Sequence, residues 1–162
     1  MVLVTHDQNE AMTFAKTVVV MNHGEVIQAG SPKTLFDHPA TEYVGYFIGS
    51  PSMNYLPAVV EGSTVRVDGT ALSVPLPPGI GTQGLKIGFR PEHMHRRATG
   101  LAMPGVIERV WYEGADEVLA LVNGAHSFRA RLPVTPTRPG QSEMLHIASE
   151  NLRLYCDGRL VA

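Results

Sequence analysis

Glu117-Val-Leu-Ala-Leu-Val-Asn-Gly-Ala-His-Ser-Phe-Arg-Ala-Arg-Leu132 is the stretch of sequence that decides the fold of most of the chain. Residues 117–122 and 127–132 are apolar-rich runs of strand length, and Asn123-Gly124 stands between them. Asn-Gly is a strong signal for the tight turn of a β-hairpin, because both residues accept a positive φ. The stretch therefore predicts two antiparallel strands joined by a short turn.

The rest of residues 51–162 continues this all-β pattern. Further candidate strands are short, are separated by Gly-rich or Pro-rich turns, and lie at 54–61, 65–67, 71–74, 85–90, 105–112 and 144–148. Asp68-Gly69 supplies a second hairpin turn. A small barrel of the OB type suits many short strands, because closing the sheet removes its exposed edges. We therefore predict an all-β, OB-type domain over residues 51–162.

Residues 1–50 have a different pattern, in which strands and helices are mixed. Met1-Val-Leu-Val4 is a continuous apolar run that predicts a strand buried on both faces of a parallel sheet. Asp7 as N-cap and Glu10 three residues later predict a capping box and a helix over 8–16. The remaining elements are predicted as strands at 17–21 and 25–29 and helices starting at Ser31-Pro32 and at about Thr41. The chain is thus expected to be α+β overall, with residues 1–50 and 51–162 as separate units.

Composition limits the classes of protein that fit. The chain has 162 residues, 44% of them hydrophobic, so it can bury a core. Thirteen basic and fifteen acidic residues give a net charge of -2, which disfavours a general nucleic-acid binder. The longest apolar run, 118–122, is far short of the roughly 20 residues that span a bilayer. A single cysteine, Cys156, and the lack of a signal peptide at the N-terminus fit a cytosolic setting.

Two ordered sets of motifs resemble a known family. The first set, before residue 50, comprises Val4-Thr-His-Asp-Gln8, Glu10-Ala-Met12, Val18-Val-Val-Met-Asn22, Gly24, Gly30-Ser-Pro32 and Pro39-Ala40. It closely resembles the end of the ATP-binding subunit of ABC importers. The second set comprises Phe47-Ile-Gly-Ser-Pro51, Met53-Asn54, Gly88-Phe-Arg-Pro-Glu-His93 and Arg138-Pro-Gly140. It resembles the branch that imports carbohydrates and glycerol 3-phosphate, the maltose-transporter-like subunits with a C-terminal regulatory extension.

The resemblance implies a fold and a function for each unit. Residues 1–50 would be the C-terminal remnant of an α/β P-loop ATPase domain, and residues 51–162 an OB-type regulatory domain of the TOBE kind. The complete subunit would use ATP and Mg²⁺ to drive import, would pair with transmembrane permease subunits, and would lie in the cytoplasm at the inner face of the membrane. The family's regulatory domains also pair across a two-fold axis, which implies a homodimer through the β-rich domain. A regulatory protein or a small-molecule effector is a further partner that such a domain could bind.

His6 is the candidate catalytic and ATP-contacting residue. It follows the predicted strand at 1–4, and open α/β sheets bind ligands beyond the carboxyl ends of their strands. An imidazole there can donate a hydrogen bond to a phosphate oxygen and position an attacking water. The resemblance implies that His6 is the switch histidine that contacts the γ-phosphate of ATP. On the local sequence alone, the alternative is a surface histidine before an N-cap.

The chain lacks the other elements of a P-loop ATPase. No Gly-Lys pair occurs, and no apolar strand ending in Asp-Glu precedes His6. We therefore expect no ATP hydrolysis by this chain alone, and no cofactor or metal bound to it. His93 and His95 could contact a metal ion only with a third ligand in reach, which the sequence does not mark.

Arg90-Pro91-Glu92 is the candidate regulatory motif. The functional alternative is an anion or effector contact, and the simpler one is a turn with a structural Arg90–Glu92 salt bridge, which we favour. Arg96, Arg97, Arg129 and Arg131 are basic pairs of the kind that OB folds use on nucleic acid. Phe128 is their one aromatic neighbour in the sequence, so no nucleic-acid partner is expected.

Two further functional readings remain open besides a regulatory and dimerisation fragment. The chain could be a stand-alone dimeric OB-type module that binds a small molecule or an anion. It could also be an OB protein that binds nucleic acid, which is the weaker alternative.

Trp111 is expected either in the core or at an interface, and the core is preferred.

Overall fold

The computed structural model describes residues 2–161 and is mostly β-structure with a few short helices. The helices are α1 (Gln8–Phe14), α2 (Pro32–Asp37) and α3 (Glu42–Phe47). The strands are β1 (Val18–Asn22), β2 (Glu25–Gly30), β3 (Asn54–Pro57), β4 (Val59–Glu61), β5 (Thr64–Arg66), β6 (Ser73–Pro75), β7 (Leu85–Phe89), β8 (Leu101–Glu113), β9 (Asp116–Asn123), β10 (His126–Pro133), β11 (Ser142–Ile147), β12 (Arg153–Cys156) and β13 (Arg159–Leu160). Short 3₁₀ turns lie at Pro91–His93 and Ser149–Asn151. Within residues 2–161, no helix is long and apolar enough to cross a membrane.

The N-terminal elements pack around a small core of their own. β1 and β2 form an antiparallel hairpin, and its turn has a positive φ at both His23 and Gly24. Such a turn matches the right-handed twist of the two strands. Alternate side chains of β1 point inward and join a buried cluster with residues of α2 and α3, which comprises Val18, Val20, Leu35, Val44 and Ile48.

The predicted strand at the N-terminus is absent from the described part of the chain. Val2, Leu3 and Val4 lie in no strand and are exposed, and Met1 lies outside the described residues. A strand buried on both faces needs neighbouring strands to accept its hydrogen bonds and cover its side chains. No strand between residues 2 and 161 pairs with this run, so the prediction is wrong for residues 2–4.

The first helix is shorter than predicted and is capped differently. It ends at Phe14 rather than Lys16. The Asp7 carboxylate accepts hydrogen bonds from the backbone N–H groups at positions 9 and 10, as an N-cap does. The Glu10 carboxylate, however, accepts from the Thr5 hydroxyl rather than from the backbone of Asp7. The reciprocal half of a capping box is therefore replaced by Thr5, whose Oγ1 accepts the hydrogen bond of the Asp7 N–H.

The C-terminal elements form three antiparallel sheets around a larger core. Their strand orders are β10-β9-β8-β11, β13-β12-β7-β3 and β4-β5-β6. The core is built from side chains of the two four-stranded sheets and of the connections between strands, and includes Leu56, Val67, Leu72, Ile87, Phe89, Met103, Ile107, Leu119, Leu121, Phe128, Leu132, Leu145 and Ile147. Val74 of the three-stranded sheet packs against it. Each large side chain buried in this way stabilises the fold by about 1.5–3 kcal/mol.

Asn54 joins the two four-stranded sheets at a place where their backbones do not pair. Its side-chain Nδ2 donates to the carbonyl of Arg129 at 2.9 Å, and its Oδ1 accepts from the N–H of Arg129 at 2.8 Å. The buried amide thus makes the pair of hydrogen bonds that a neighbouring strand would make. It links β3 to β10 and covers an edge that would otherwise be open.

Several predicted strands are shifted in the structure. The run at 54–61 is divided into β3 and β4 at Ala58, directly after Pro57, which has no N–H to donate to a ladder. The hairpin of β9 and β10 turns at Gly124 and Ala125, with a positive φ at Gly124, so the predicted turn is displaced by one residue. β12 and β13 are short and have mixed polarity, and the sequence did not predict them.

Candidate functional site

The buried guanidinium of Arg90 lies at the junction between the N-terminal elements and the β-sheets. Arg90 directly follows β7 and is only 2% exposed. Its Nε and Nη2 donate to the carbonyl of Phe36 at 3.1 and 2.9 Å, and its Nη1 donates to the carbonyls of Gly45 and Ile48 at 3.2 and 2.5 Å. We call Arg90 together with these three carbonyls the Arg90 latch.

The Arg90 latch caps the C-terminal ends of two helices at once. Phe36 lies in the last turn of α2, Gly45 lies in the last turn of α3, and Ile48 is the C-cap of α3. The last carbonyls of a helix have no partner within it, and they carry the negative end of the helix dipole. A guanidinium, planar and permanently charged, satisfies them from outside the helix.

Two further features accommodate the buried charge of Arg90, and desolvation opposes it. The Phe36 ring lies 4.2 Å from the guanidinium carbon, as in a cation–π contact. Gly49 has a φ of +103°, and a Cβ there would lie 2.8 Å from Nη1, so the chain needs glycine at this position. Burial lowers the pKa of Arg90, although a guanidinium remains protonated at neutral pH.

Glu92 does not form the salt bridge with Arg90 that the sequence suggested. Within residues 2–161, the salt bridges do not include an Arg90–Glu92 pair, because the Arg90 donors are directed at backbone carbonyls. The Glu92 Oε2 atom is buried without a hydrogen-bond partner, and burial raises the pKa of this carboxyl group. The next residue, His93, also has a buried, unpartnered Nδ1, and burial lowers its pKa.

Other contacts hold residues 37–50 against the sheets. The Lys86 ammonium pairs with Glu42 at 2.7 Å, and the Tyr155 hydroxyl donates to the Pro39 carbonyl at 2.8 Å. Burial raises the pKa of Tyr155 to about 12, so its hydroxyl remains a donor at neutral pH. Arginine side chains of the sheets also donate to backbone carbonyls of this segment, Arg153 to Asp37 and Arg131 to Ser50. The junction is therefore fixed by direct bonds along its whole length.

His6 lies apart from this group of bonds. It is exposed in the segment before α1, and within residues 2–161 no hydrogen bond or salt bridge joins it to Arg90, Pro91 or Glu92. An indirect path does exist, because the Gln8 side chain accepts a hydrogen bond from the Gly49 N–H at 2.7 Å. The first residue of the helix that follows His6 is thus bonded to the segment that the Arg90 latch holds.

Of the four arginines that the sequence marked as basic pairs, Arg96 and Arg131 form salt bridges. Arg96 bonds to the fully buried Glu117, which also accepts from the hydroxyls of Thr135 and Thr137. Burial alone would raise the pKa of Glu117, but these hydrogen bonds outweigh it and hold the pKa below its ordinary value. Arg131 pairs with acidic residues at the end of the β8–β9 hairpin.

The histidines near the motif do not assemble a metal site in the described residues. His95 stacks against His146 across an isolated bridge, with ring centroids 6.4 Å apart. Within residues 2–161, no three His, Cys, Asp or Glu side chains come close enough together to hold a metal ion.

The Arg90 latch holds the N-terminal elements against the β-sheets. It consists of a cation and carbonyl oxygens, with the Phe36 ring beside the cation, and these groups bind and orient their neighbours. The single imidazole of His6 is exposed and offers ATP no enclosing loop of backbone N–H groups. The described residues alone therefore do not fit a nucleotide.

Part of the chain matches a family of OB-fold domains. Residues 49–94 match a protein family described as the MalK OB fold domain. This range begins at Gly49, includes β3 to β7, and ends just after the Arg90-Pro91-Glu92 motif. The chain therefore contains an OB-fold domain, which the sequence predicted over the wider range 51–162.

Curated relatives extend the similarity to most of the chain. The sn-glycerol-3-phosphate import ATP-binding protein UgpC of Cereibacter sphaeroides is 47% identical over 118 residues, which are 71% of this chain and 32% of the relative. UgpC of Yersinia pestis is 37% identical over 156 residues, 94% of this chain and 42% of the relative. An uncharacterized ABC transporter ATP-binding protein of Sinorhizobium fredii is 41% identical over 146 residues, 86% of this chain and 39% of the relative.

These findings confirm the predicted resemblance. The chain is related to the C-terminal part of ABC-importer ATP-binding subunits of the sugar and glycerol 3-phosphate branch. It spans about one third to two fifths of the length of the curated relatives named here.

Proposed function

We propose that this chain is the regulatory and dimerisation part of the ATP-binding subunit of an ABC importer for sugars or glycerol 3-phosphate. The complete subunit would bind ATP and Mg²⁺, would contact transmembrane permease subunits, and would work at the cytoplasmic face of the membrane. The names of the relatives support this proposal, since two of them are ATP-binding proteins for sn-glycerol-3-phosphate import.

The observation that carries the proposal is the bonded path from the helix after His6 to the OB-fold domain. The Gln8 side chain of α1 accepts a hydrogen bond from the Gly49 N–H. Arg90 donates to the carbonyls of Gly45 and Ile48, which precede Gly49 in the chain. A movement of α1, which follows the residue proposed to sense the γ-phosphate, would therefore be passed to the β-sheets through these hydrogen bonds. In this proposal His6 senses nucleotide only in a complete subunit, and Arg90-Pro91-Glu92 forms the regulatory motif.

An exposed apolar face supports the proposal that residues 1–50 belong to a larger ATPase domain. Val19, Met21 and Val26 lie on the outer face of the β1–β2 hairpin and are each at least half exposed. Val2, Val4 and Phe14 are also strongly exposed in the same unit. A cluster of this kind is unusual on a finished surface and favours burial under further polypeptide.

The test is the mass of the chain in solution by light scattering, over a dilution series with and without Mg-ATP. We expect a dimer that persists on dilution and does not respond to nucleotide, and no hydrolysis of ATP in a phosphate-release assay. A monomer at all concentrations would refute the proposed dimerisation. A dimer that forms only with Mg-ATP would refute the proposal that residues 1–50 cannot bind nucleotide by themselves.

A second candidate function is binding of a small-molecule effector at the junction. A shallow groove of about 520 Å³ runs between the start of α3 and the β12–β13 turn, and the Lys86–Glu42 pair lies in it. In this candidate function an anionic solute such as glycerol 3-phosphate would have to displace Glu42 from Lys86, against the nearby carboxylate of Asp157. Calorimetric titration with glycerol 3-phosphate tests this function: saturable heat that Lys86→Ala abolishes supports it, and no heat from the unmodified chain refutes it.

A further inference from the structure

The outward face of the β8–β9–β10 sheet carries two arginines on either side of an alanine. The strand register places Arg109 of β8 opposite Ala120 of β9, and Ala120 opposite Arg129 of β10. Directly opposed residues share one face of a sheet, so the two guanidinium groups flank the short Ala120 side chain. Both arginines are exposed.

Trp111 lies beside this row. It is two residues after Arg109 on β8, is 40% exposed, and its ring centre lies 6.0 Å from the guanidinium carbon of Arg129. The sequence favoured a core position for Trp111 and marked Phe128 as the aromatic neighbour of the arginines. The structure reverses both assignments, because Phe128 is 2% exposed and points into the core. We call Arg109, Trp111, Ala120 and Arg129 the arginine face.

The positive charge of the arginine face is not neutralised within residues 2–161. Arg131, the nearest further arginine on the same side of the sheet, pairs with Glu113 and Asp116 and donates to a backbone carbonyl. The side chains of Arg109 and Arg129 make no salt bridge or hydrogen bond in this range. Glu108, at the bulge beside Arg109, also lies beyond salt-bridge distance.

We propose that the arginine face binds an acidic segment of a partner protein. Trp and Arg are the residue types that are most enriched at protein–protein hot spots, and they lie together here on exposed strands. A guanidinium donates two parallel N–H groups to a carboxylate, so an acidic segment that lies across Ala120 can offer one carboxylate to Arg109 and another to Arg129. The aromatic ring adds an apolar wall beside the bound segment.

The shape and charge of the face disfavour the other occupants. Small-molecule sites are concave, and neither groove found in residues 2–161, one at Lys86 and one at Met144, is lined by the arginine face. A second copy with its two-fold axis through this face would bring two more arginines close to the first two. A nucleic acid would need a longer basic track, and the chain carries a net charge of -2. The inference goes beyond the proposed function and does not depend on it.

The test uses Trp111, which is the one tryptophan of the sequence and therefore reports on this face alone. A fluorescein-labelled oligo-glutamate peptide is titrated into the full chain at about 0.1 M salt, where the screening length is about 10 Å. Anisotropy of the peptide and emission of Trp111 are measured together. We expect both signals to saturate at the same midpoint, and the affinity to fall with added salt.

Matched variants separate this face from charge in general. Arg109→Ala with Arg129→Ala should weaken binding by about tenfold or more. Arg97→Ala with Arg159→Ala removes two exposed arginines elsewhere and should change the midpoint by less than about twofold. Equal effects of the two pairs would overturn the proposal, because binding would then follow net charge alone.

Competition and dilution decide between the occupants. Displacement of the peptide by inorganic phosphate at equal charge concentration would overturn the proposal in favour of a small-anion site. Tighter binding of oligo-thymidine than of oligo-glutamate would overturn it in favour of single-stranded nucleic acid. A Trp111 emission that changes with protein concentration without peptide would show that a second copy covers the face. A peptide that does not bind the unmodified chain, with folded variants as controls, would also refute the inference.

Discussion

Replacing Arg90 by alanine tests whether the Arg90 latch holds the N-terminal elements on the OB-fold domain. The variant leaves the carbonyls of Phe36 and Ile48 without a donor, whereas the Gly45 carbonyl still accepts from the Met53 N–H. A hydrogen bond to a charged group contributes about 1.5–3 kcal/mol net of desolvation, so losing those to two carbonyls costs roughly 3–6 kcal/mol. We therefore expect the free energy of unfolding to fall by about 3–6 kcal/mol.

The assay is urea unfolding followed by two probes. Emission of Trp111 reports on the β-sheets, and hydrogen exchange of the amides in residues 32–48 reports on α2 and α3. We expect Arg90→Ala to speed exchange in 32–48 before the Trp111 signal changes, because the helices lose the contact that caps them. Arg90→Lys keeps the charge but cannot reach all three carbonyls, so it should cost about 2–3 kcal/mol.

Arg97→Ala is the control for the loss of one arginine, since the Arg97 side chain is exposed and only its backbone carbonyl accepts a hydrogen bond. It should change the free energy of unfolding by no more than about 0.5 kcal/mol. An Arg90→Ala variant that unfolds within about 1 kcal/mol of the unmodified chain, with unchanged exchange in 32–48, would refute the reasoning, because it is then indistinguishable from a surface change.

Three further predictions concern single positions. Glu92→Gln should stabilise the chain by about 1 kcal/mol at pH 7, because it removes a buried carboxylate with an unpartnered oxygen. Burial raises the folded pKa of Glu92, so this gain should vanish below the unfolded pKa near 4.5. Urea unfolding at pH 7 and below that pKa measures the difference. Gly45→Ala should destabilise by about 1–3 kcal/mol in thermal unfolding despite the better helix propensity of alanine, because its Cβ would lie 1.8 Å from the Tyr55 hydroxyl; an unchanged melting temperature would contradict this contact. Glu117→Gln should remove an acid-sensitive part of the stability. The folded pKa of Glu117 is lowered, so the bond to Arg96 stabilises the fold above the unfolded pKa and is lost as pH falls through the folded pKa. A variant whose free energy of unfolding depends on pH as that of the unmodified chain does would refute this role.

The local patterns of the sequence predicted most of the elements and little of how they meet. The alternation in residues 117–132 and the capping by Asp7 depend on neighbours within a few positions, so a single sequence reveals them. The β9–β10 turn was displaced because Gly124, rather than Asn123, takes the positive φ at the first central position of the turn. Residues 2–4 form no strand because the prediction placed their partner strands outside this chain, and the described residues supply none.

The site residues were found in part, and their partners were not. Arg90 and Glu92 were marked by their motif, but the Arg90 latch joins positions 42 to 54 residues apart. Asn54 bonds to a backbone 75 residues away. Trp111 meets Arg129 only through the register of three strands. No periodicity carries such long-range pairings, which arise when the sheets close.

The bonds of Arg90 all end on main-chain oxygen atoms, and this affects how the molecule tolerates mutational drift. Because a carbonyl is present whichever amino acid occupies its position, substitutions at Ile48 that keep the backbone path leave the attachment intact, whereas a change at Arg90 itself removes every bond at once. The segment before the OB-fold domain therefore tolerates wide sequence change, provided that its two helices end at the same places and that positions 45 and 49 remain glycine. A mutation in the Arg90 codon therefore removes the whole attachment, whereas many mutations in the segment that accepts its bonds leave the attachment in place.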